Sequence, residues 1–163
     1  MKTQDIIYLD TNIFVTFYLK RDGFNKIEKF FVDNKDLEVK FVTSDWTLTE
    51  IVKVLRNEYK EKPKKVAEFI EELQREKRIF GIKFTFIDVC DDDKYDFGEF
   101  FYHIQKILLE YNSGFPDTIH SLIMRNNKIK YILTGDSKGF NGIKGIEVIN
   151  PLGVNEEVKN EAQ

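Results

Sequence analysis

The sequence is poor in the residues that build disulfide or zinc frameworks. It holds a single cysteine, Cys90, and two histidines among 163 residues. One thiol cannot form an intramolecular disulfide, and the chain has no cluster of cysteine and histidine for structural zinc. Cys90 is therefore predicted to be a small apolar filler at the end of a strand.

Long hydrophobic segments are missing as well. No apolar run reaches the roughly 18 residues that a membrane-spanning helix requires, and the first residues lack the apolar stretch of a signal peptide. We therefore expect a cytoplasmic protein with no membrane partner.

The chain also lacks a strong excess of one charge, since 25 basic residues face 28 acidic ones for a net charge of -3. A protein that wraps nucleic acid over its whole surface would need more lysine and arginine. A local basic surface is still allowed. Positions 53–78 are dense in basic residues, which form either a solvated helix face or a surface that steers RNA. These are Lys53, Arg56, Lys60, Lys62, Lys64, Lys65, Arg75, Lys77 and Arg78.

What is present is the composition of a globular protein, with 42% hydrophobic and 33% charged residues. The length suits a single domain with a real core. We predict one domain over residues 1–150 and a polar C-terminal tail over 151–163. The chain has fifteen phenylalanines; most should lie in the core, and the excess favours a dimer interface.

Strands and helices alternate along the chain. Apolar runs such as IIYL and YILT are continuous, which is typical of strands in a parallel sheet covered on both faces. The predicted fold class is α/β, an open parallel sheet of about five strands sandwiched by helices. The strands are predicted at residues 6–9, 38–42, 84–89, 130–134 and 147–149.

Helices are predicted between these strands from apolar periodicity and from start signals. Asp45 is a good N-cap for one helix, and Pro63 suits the first position of the next. The predicted helices span residues 11–20, 24–32, 46–59, 63–78 and 94–111, with a further helix starting at 114–117.

Four carboxylates lie at strand ends or near helix starts, where turns direct side chains toward a shared edge of the sheet. Like charges a few ångströms apart resist joint ionisation unless a cation lies between them, so the cluster indicates bound Mg²⁺ or Mn²⁺ and phosphate chemistry. Each acid alone has an ordinary explanation as a cap, a turn residue or a surface ion pair. The motifs are IIYLDTNIF around Asp10, TSDWTLTEIVKVLR around Glu50, GFPDTIHSLIM around Asp117 and YILTGDSKGF around Asp136.

In their order and context these four motifs resemble the PIN-domain ribonucleases, over residues 6–150. The resemblance implies a metal-dependent endoribonuclease in which Asp10, Glu50, Asp117 and Asp136 are catalytic and hold Mg²⁺ or Mn²⁺. It also implies that three polar neighbours support these acids through hydrogen bonds. These are Thr11, Asn12 and Thr134.

Single-domain members of that family with short chains are mostly VapC-type toxins. The resemblance therefore implies an RNA substrate, a cognate antitoxin protein and a homodimer.

Other classes fit the motifs less well. A haloacid-dehalogenase-type phosphatase needs a second Asp two residues after the first, where this chain has Asn12. A receiver-type phosphoacceptor needs an acidic pair before the first helix, and Asp88 alone could end a central strand. The remaining rival is a catalytically inert PIN-like module that binds RNA or protein, against which four intact acids argue.

His120 follows Asp117 by one helical turn on the same face. It could touch substrate or transfer a proton, but a packed polar role is more common for such a histidine. The predicted catalytic set omits it.

Overall fold

The computed structural model describes residues 5–88, 97–111 and 113–153. Cys90, the first residues of the predicted 94–111 helix and residues 154–163 of the predicted tail lie outside the described residues.

A six-stranded sheet with the order β3-β4-β2-β1-β5-β6 forms the centre of the fold. All neighbouring strands are parallel except β3, which pairs antiparallel with β4. The predicted α/β class with a parallel sheet is confirmed, and β3 is an addition to it. The strands are β1 Asp5–Leu9, β2 Val39–Ser44, β3 Arg78–Ile79, β4 Ile82–Ile87, β5 Tyr131–Leu133 and β6 Glu147–Ile149.

Six helices in the described residues cover the two faces of this sheet. They are α1 Thr11–Leu19, α2 Phe24–Asp33, α3 Asp45–Asn57, α4 Pro63–Glu76, α5 Phe97–Glu110 and α6 Phe115–Asn126.

Two predicted helices have wrong boundaries, and α3 also ends at Asn57, two residues before the predicted end. The N-cap of α3 is Ser44, and Asp45 is the first residue of the helix, where its acidic side chain favours the helix dipole. Helix α4 ends at Glu76 because Lys77 takes a left-handed conformation with φ of 49°. Arg78, predicted as helical, instead begins β3.

Side chains of each central strand alternate between two apolar cores. In β1, Ile7 and Leu9 join the core with α1 to α4, whereas Tyr8 faces the core with α5 and α6. In β5, Leu133 and Ile132 divide in the same way. This alternation follows from the two-residue period of a β-strand. Because both faces of the sheet are buried, the central strands read as unbroken apolar runs.

The chain changes direction across the sheet at β1. The segment after β1 leads to β2 on one side, and the chain later returns to β5 on the other side. In open α/β sheets ligands bind at such a switch point, beyond the carboxyl ends of the strands. Asp10 follows β1 at this point, and its backbone N–H donates to the Leu133 carbonyl of β5 at 3.1 Å.

Within the described residues, every helix is too short or too polar to cross a bilayer.

Candidate active site

A cleft of about 230 Å³ opens beyond the carboxyl ends of β1 and β5. The four predicted acids, which are up to 126 positions apart in the chain, all line it. Asp10 follows β1, Glu50 lies in α3, Asp117 lies in the first turn of α6, and Asp136 follows β5. The structure therefore brings the predicted acid set together.

Asp10 lies at the base of the cleft and is 6% exposed. It is the N-cap of α1, and its Oδ1 accepts from the Thr11 N–H at 2.7 Å. Its Oδ2 accepts from the Asn12 amide at 2.8 Å and from the Thr134 hydroxyl at 2.7 Å. Burial raises the pKa of Asp10, although nearby His120 and the bond from Thr134 act in the opposite direction.

Asn12 and Thr134 connect the ends of β1 and β5. The Asn12 amide nitrogen donates to Thr134 Oγ1 at 2.6 Å, and its carbonyl oxygen accepts from the Gly135 N–H at 2.9 Å. Thr134 Oγ1 also accepts from the Asp136 N–H at 3.0 Å. These bonds place both residues against the acids, where they fix the Asp10 carboxylate and the start of the loop that holds Asp136.

Glu50 is held through one of its two carboxylate oxygens. Its Oε2 accepts from the Thr11 hydroxyl at 2.5 Å and from His120 Nε2 at 2.8 Å. Burial raises the pKa of Glu50, but the hydrogen bond and charge of His120 outweigh it and lower the pKa below its ordinary value. Glu50 is therefore ionised at neutral pH and turned toward the cleft.

His120 is fully buried beneath the acids, between Glu50 and Tyr8. Its Nδ1 is hydrogen-bonded to the Tyr8 hydroxyl at 2.9 Å, and Tyr8 in turn contacts Ser44 Oγ at 2.6 Å. Burial would lower the pKa of His120, but the oxygens of Tyr8, Glu50 and Asp10 raise it to about 10. These neighbours favour the charged form of the ring, which compensates part of the acid charge.

Asp117 is partly buried, and its carboxylate lies in a space that a glycine leaves open. A Cβ on Gly139 would come within 2.0 Å of Asp117 Oδ2, so any larger residue there would displace the carboxylate. Burial, followed by the nearby charge of Asp10, raises the pKa of Asp117 to about 6.

Asp136 is the most exposed of the four acids. Its Oδ1 accepts from the Lys138 N–H at 3.1 Å, which holds the side chain in the turn after β5. Asp136 therefore forms the outer edge of the cleft.

The oxygen donors fit a hard divalent cation. Mg²⁺ and Mn²⁺ prefer carboxylate oxygens, and a cation between Asp10 and Asp117 would offset the burial and the repulsion that raise the pKa of Asp117. Ligand atoms of Asp10, Glu50 and His120 also lie within 4.8 Å of one another. His120 Nε2 is hydrogen-bonded to Glu50 Oε2 at 2.8 Å, however, so the carboxylates are the ligands that fit.

His120 is the site residue that the predicted set omits. The one sequence feature that pointed to His120 was its spacing of one helical turn from Asp117, which places both residues on the same face of the helix. The spacing could not show that this face meets Glu50 of α3.

The basic residues of segment 53–78 do not line the acid cleft in the described part of the chain. All but Arg56 are exposed. Arg21, in the turn after α1, is the cation that reaches the cleft.

Comparison with known proteins gives one family. A family model described as "PIN domain" matches residues 7–98, more than half of the chain. The matched segment contains Asp10 and Glu50, whereas Asp117 and Asp136 lie beyond it. A search of curated proteins finds no match.

Solved structures with the same fold include toxin and antitoxin proteins. VapBC2 from Rickettsia felis, bound to a DNA fragment from its promoter, has a TM-score of 0.58 at 15% identity, covering 89% of this chain and 98% of that one. DNA-bound VapBC from Salmonella typhimurium has a TM-score of 0.58 at 17% identity, with coverage of 91% and 99%.

VapC20 from Mycobacterium tuberculosis, a toxin that cleaves the sarcin-ricin loop, has a TM-score of 0.54 at 13% identity, with coverage of 80% and 91%. At such identities these likenesses show the fold.

Proposed function

Because the chain belongs to the PIN domain family, we propose that it is a metal-dependent endoribonuclease that hydrolyses phosphodiester bonds of RNA. The observation that carries this proposal is the meeting of Asp10, Glu50, Asp117 and Asp136 in one cleft at the switch point of the sheet.

Asp10, Asp117 and Asp136, with Glu50 completing the ring, would hold one or two Mg²⁺ or Mn²⁺ ions. A bound divalent ion stabilises negative charge on a reacting phosphate and makes water more acidic. Hydrolysis would leave a 5′-phosphate and a 3′-hydroxyl.

The protein's own groups would orient this acid ring. Thr11 and His120 both bind Oε2 of Glu50, which directs Oε1 toward the cleft. Asn12 and Thr134 hold Oδ2 of Asp10. Such neighbours fix the direction of a ligating carboxylate.

We also propose that the protein is the toxin of a toxin-antitoxin pair and acts in the cytoplasm as a homodimer. Support for the toxin role comes from the VapBC complexes and VapC20 among the proteins of similar fold. The antitoxin partner would be a separate protein.

The alternative is a catalytically inert PIN-like module. It would have to keep several carboxylates close together and partly buried, an arrangement that lowers the stability of the metal-free fold. An inert binding module gains nothing from that arrangement, so the nuclease is favoured.

Cleavage of a mixed pool of single-stranded RNA, with and without EDTA, tests the nuclease. We expect the wild type to need Mg²⁺ or Mn²⁺, and Asp10→Asn, Glu50→Gln, Asp117→Asn and Asp136→Asn each to lose on the order of 10²-fold or more in rate. Millimolar Mn²⁺ should raise the melting temperature of the wild type more than that of Asp117→Asn, since the ion binds the folded state.

Circular dichroism of each variant serves as the control for folding. Equal cleavage by the wild type and all four variants would indicate a contaminating nuclease and favour the inert module. A melting temperature that does not respond to metal would contradict the metal site.

A further inference from the structure

The proposed metal ions would attract the reacting RNA phosphate, and a cationic side chain at the edge of the acid cleft would attract a neighbouring one. Among the described residues that line the cleft, five carry carboxylates and Arg21 is the one cation. Phosphate binding depends mainly on arginine and lysine, and arginine can donate two parallel hydrogen bonds to one phosphate.

Arg21 is held in place from two elements. It follows Lys20, the left-handed C-cap of α1. Its Nε donates to Thr16 Oγ1 of α1 at 3.1 Å, and its Nη1 donates to the Tyr59 hydroxyl just after α3. The guanidinium carbon lies 5.6 Å from the centre of the Tyr59 ring. This side chain is therefore ordered before any ligand binds, which reduces the entropy cost of binding.

Arg21 forms no direct ion pair with the acids around it. Within the described part of the chain, no carboxylate lies within ion-pair distance of its guanidinium, and Nη2 makes no hydrogen bond. The charge and a donor are thus available to an anion at the edge of the cleft.

A second cleft of about 280 Å³ lies on the other side of Arg21. It shares Asn12, Arg21 and Asp136 with the acid cleft, so the two are adjacent. The apolar residues beside it are the partly buried Leu152 and Ile27, of which 1% is exposed, so Leu152 supplies its accessible apolar surface.

Two glycines leave space for the Leu152 side chain beside this cleft. A Cβ on Gly23 or Gly135 would come within 2.8 Å or 3.0 Å of the Leu152 side chain. The volume is below the roughly 300–1,000 Å³ of clefts for drug-sized ligands. One nucleoside suits it better than a longer segment.

We propose that Arg21 binds the RNA phosphate next to the one that is cleaved, and that the attached nucleoside lies in the second cleft with its base against Leu152. The inference rests on the proposed nuclease function and adds a substrate-positioning residue and a subsite to it. Arg21 stands between the two clefts, where consecutive phosphates of a single strand would pass.

The first test compares Arg21→Ala, Arg21→Lys and the control Arg75→Ala on a single-stranded oligonucleotide with one cleavage site. Arg75 is exposed on α4 and outside both clefts. We expect Arg21→Ala to raise KM about 10-fold or more with a smaller change in kcat, the scale of a lost hydrogen bond to a charged group. Arg21→Lys should recover part of this loss, and Arg75→Ala should resemble the wild type.

The second test measures binding of the same oligonucleotide without cleavage, in the Asp117→Asn background. Adding Arg21→Ala should reduce the slope of log affinity against log salt by about 0.7, the value for one phosphate contact with a single strand. Arg21→Gln provides a second variant of similar length, and melting temperatures identify any variant that does not fold.

The third test replaces single phosphates of the substrate by neutral methylphosphonates. One linkage beside the cleavage site should weaken wild-type cleavage about 10-fold and have no further effect on Arg21→Ala, since both changes remove one contact.

The outcomes separate the two proposals. If the wild type cleaves RNA but Arg21→Ala matches Arg75→Ala in KM, in salt slope and in the methylphosphonate scan, the Arg21 subsite is wrong and the nuclease stands. If the wild type neither binds nor cleaves RNA with metal present, both are overturned.

Discussion

Ionisation of the Asp117 carboxylate destabilises the metal-free fold. Its pKa is raised to about 6, above the ordinary value of 3.8. Between these values the folded protein binds more protons than the unfolded chain, so the free energy of unfolding falls as the pH rises through this window. Above about pH 6 the full penalty is present.

Replacing Asp117 by Asn should therefore stabilise the metal-free protein at pH 7.5 and have less effect near pH 4.5. The group is partly solvated, so the gain is discounted to about 1 kcal/mol, which corresponds to roughly 2–4 °C in melting temperature. Thermal unfolding in EDTA at both pH values measures it.

Asp36→Asn, at an exposed position outside the acid cleft, is the matched control and should change little at either pH. A lower melting temperature for Asp117→Asn at pH 7.5 would contradict the cost assigned to burying an ionised Asp117 beside Asp10 and show that Asp117 is a structural residue.

The other acids differ from Asp117 at the residue scale. Asp10 accepts three hydrogen bonds and caps α1, and Glu50 pairs with the buried His120. Conversion of these two to amides removes favourable contacts together with the repulsion. The stabilising substitution is therefore expected at Asp117 in particular.

At the scale of elements, the loop after β5 must lie directly against α6. Gly139 in this loop approaches Asp117 of α6 so closely that no side chain fits between them. Gly139→Ala should displace the Asp117 carboxylate and reduce RNA cleavage by on the order of 10²-fold, like loss of the acid itself.

Gly142→Ala is the contrasting variant. Its added methyl group would enter open space, but φ at this position is +85°, which favours glycine. It should lower the melting temperature and leave cleavage nearly unchanged. If Gly139→Ala cleaved RNA at the wild-type rate, the close approach would not matter for the site.

In the hairpin of β3 and β4, packing stabilises a backbone conformation that the local sequence does not favour. Its two turn residues, Phe80 and Gly81, have φ of 49° and 76°, as in a type I′ turn. Phenylalanine is unusual there, but the Phe80 ring packs against Phe17, Phe24 and Phe31. Burial of this ring offsets the strained backbone.

At the scale of the whole molecule, α5 exposes apolar side chains toward solvent. Tyr102 is 61% exposed and Leu109 is 90% exposed, and seven residues apart they share one face of the helix. Contiguous exposed apolar surface is typical of protein interaction sites, and this helix face is our candidate for one. We expect a homodimer by light scattering at micromolar concentration.

Leu109→Glu should shift this dimer toward monomer, whereas Leu37→Glu, at an exposed leucine elsewhere, should not. A monomer at every concentration would refute the dimer. A dimer that tolerates Leu109→Glu would place the interface on another face. Neither result affects the proposed chemistry.

The α/β class, the five parallel strands and the acid set followed from the sequence alone. Apolar runs of strand length and acids directly after them are local patterns, and the carboxyl ends of parallel strands must share one edge of the sheet. The order of the four motifs also indicated the resemblance to the PIN domain family.

The tertiary structure decided what depends on contacts between distant segments. These contacts include the burial of His120 beneath Glu50, the space that Gly139 leaves for Asp117, and the place of Arg21 between two clefts. They also include the turn at Phe80, whose ring packs against α1 and α2. Each depends on which helix face meets which loop, and local periodicity does not contain that information because packing among remote residues selects it.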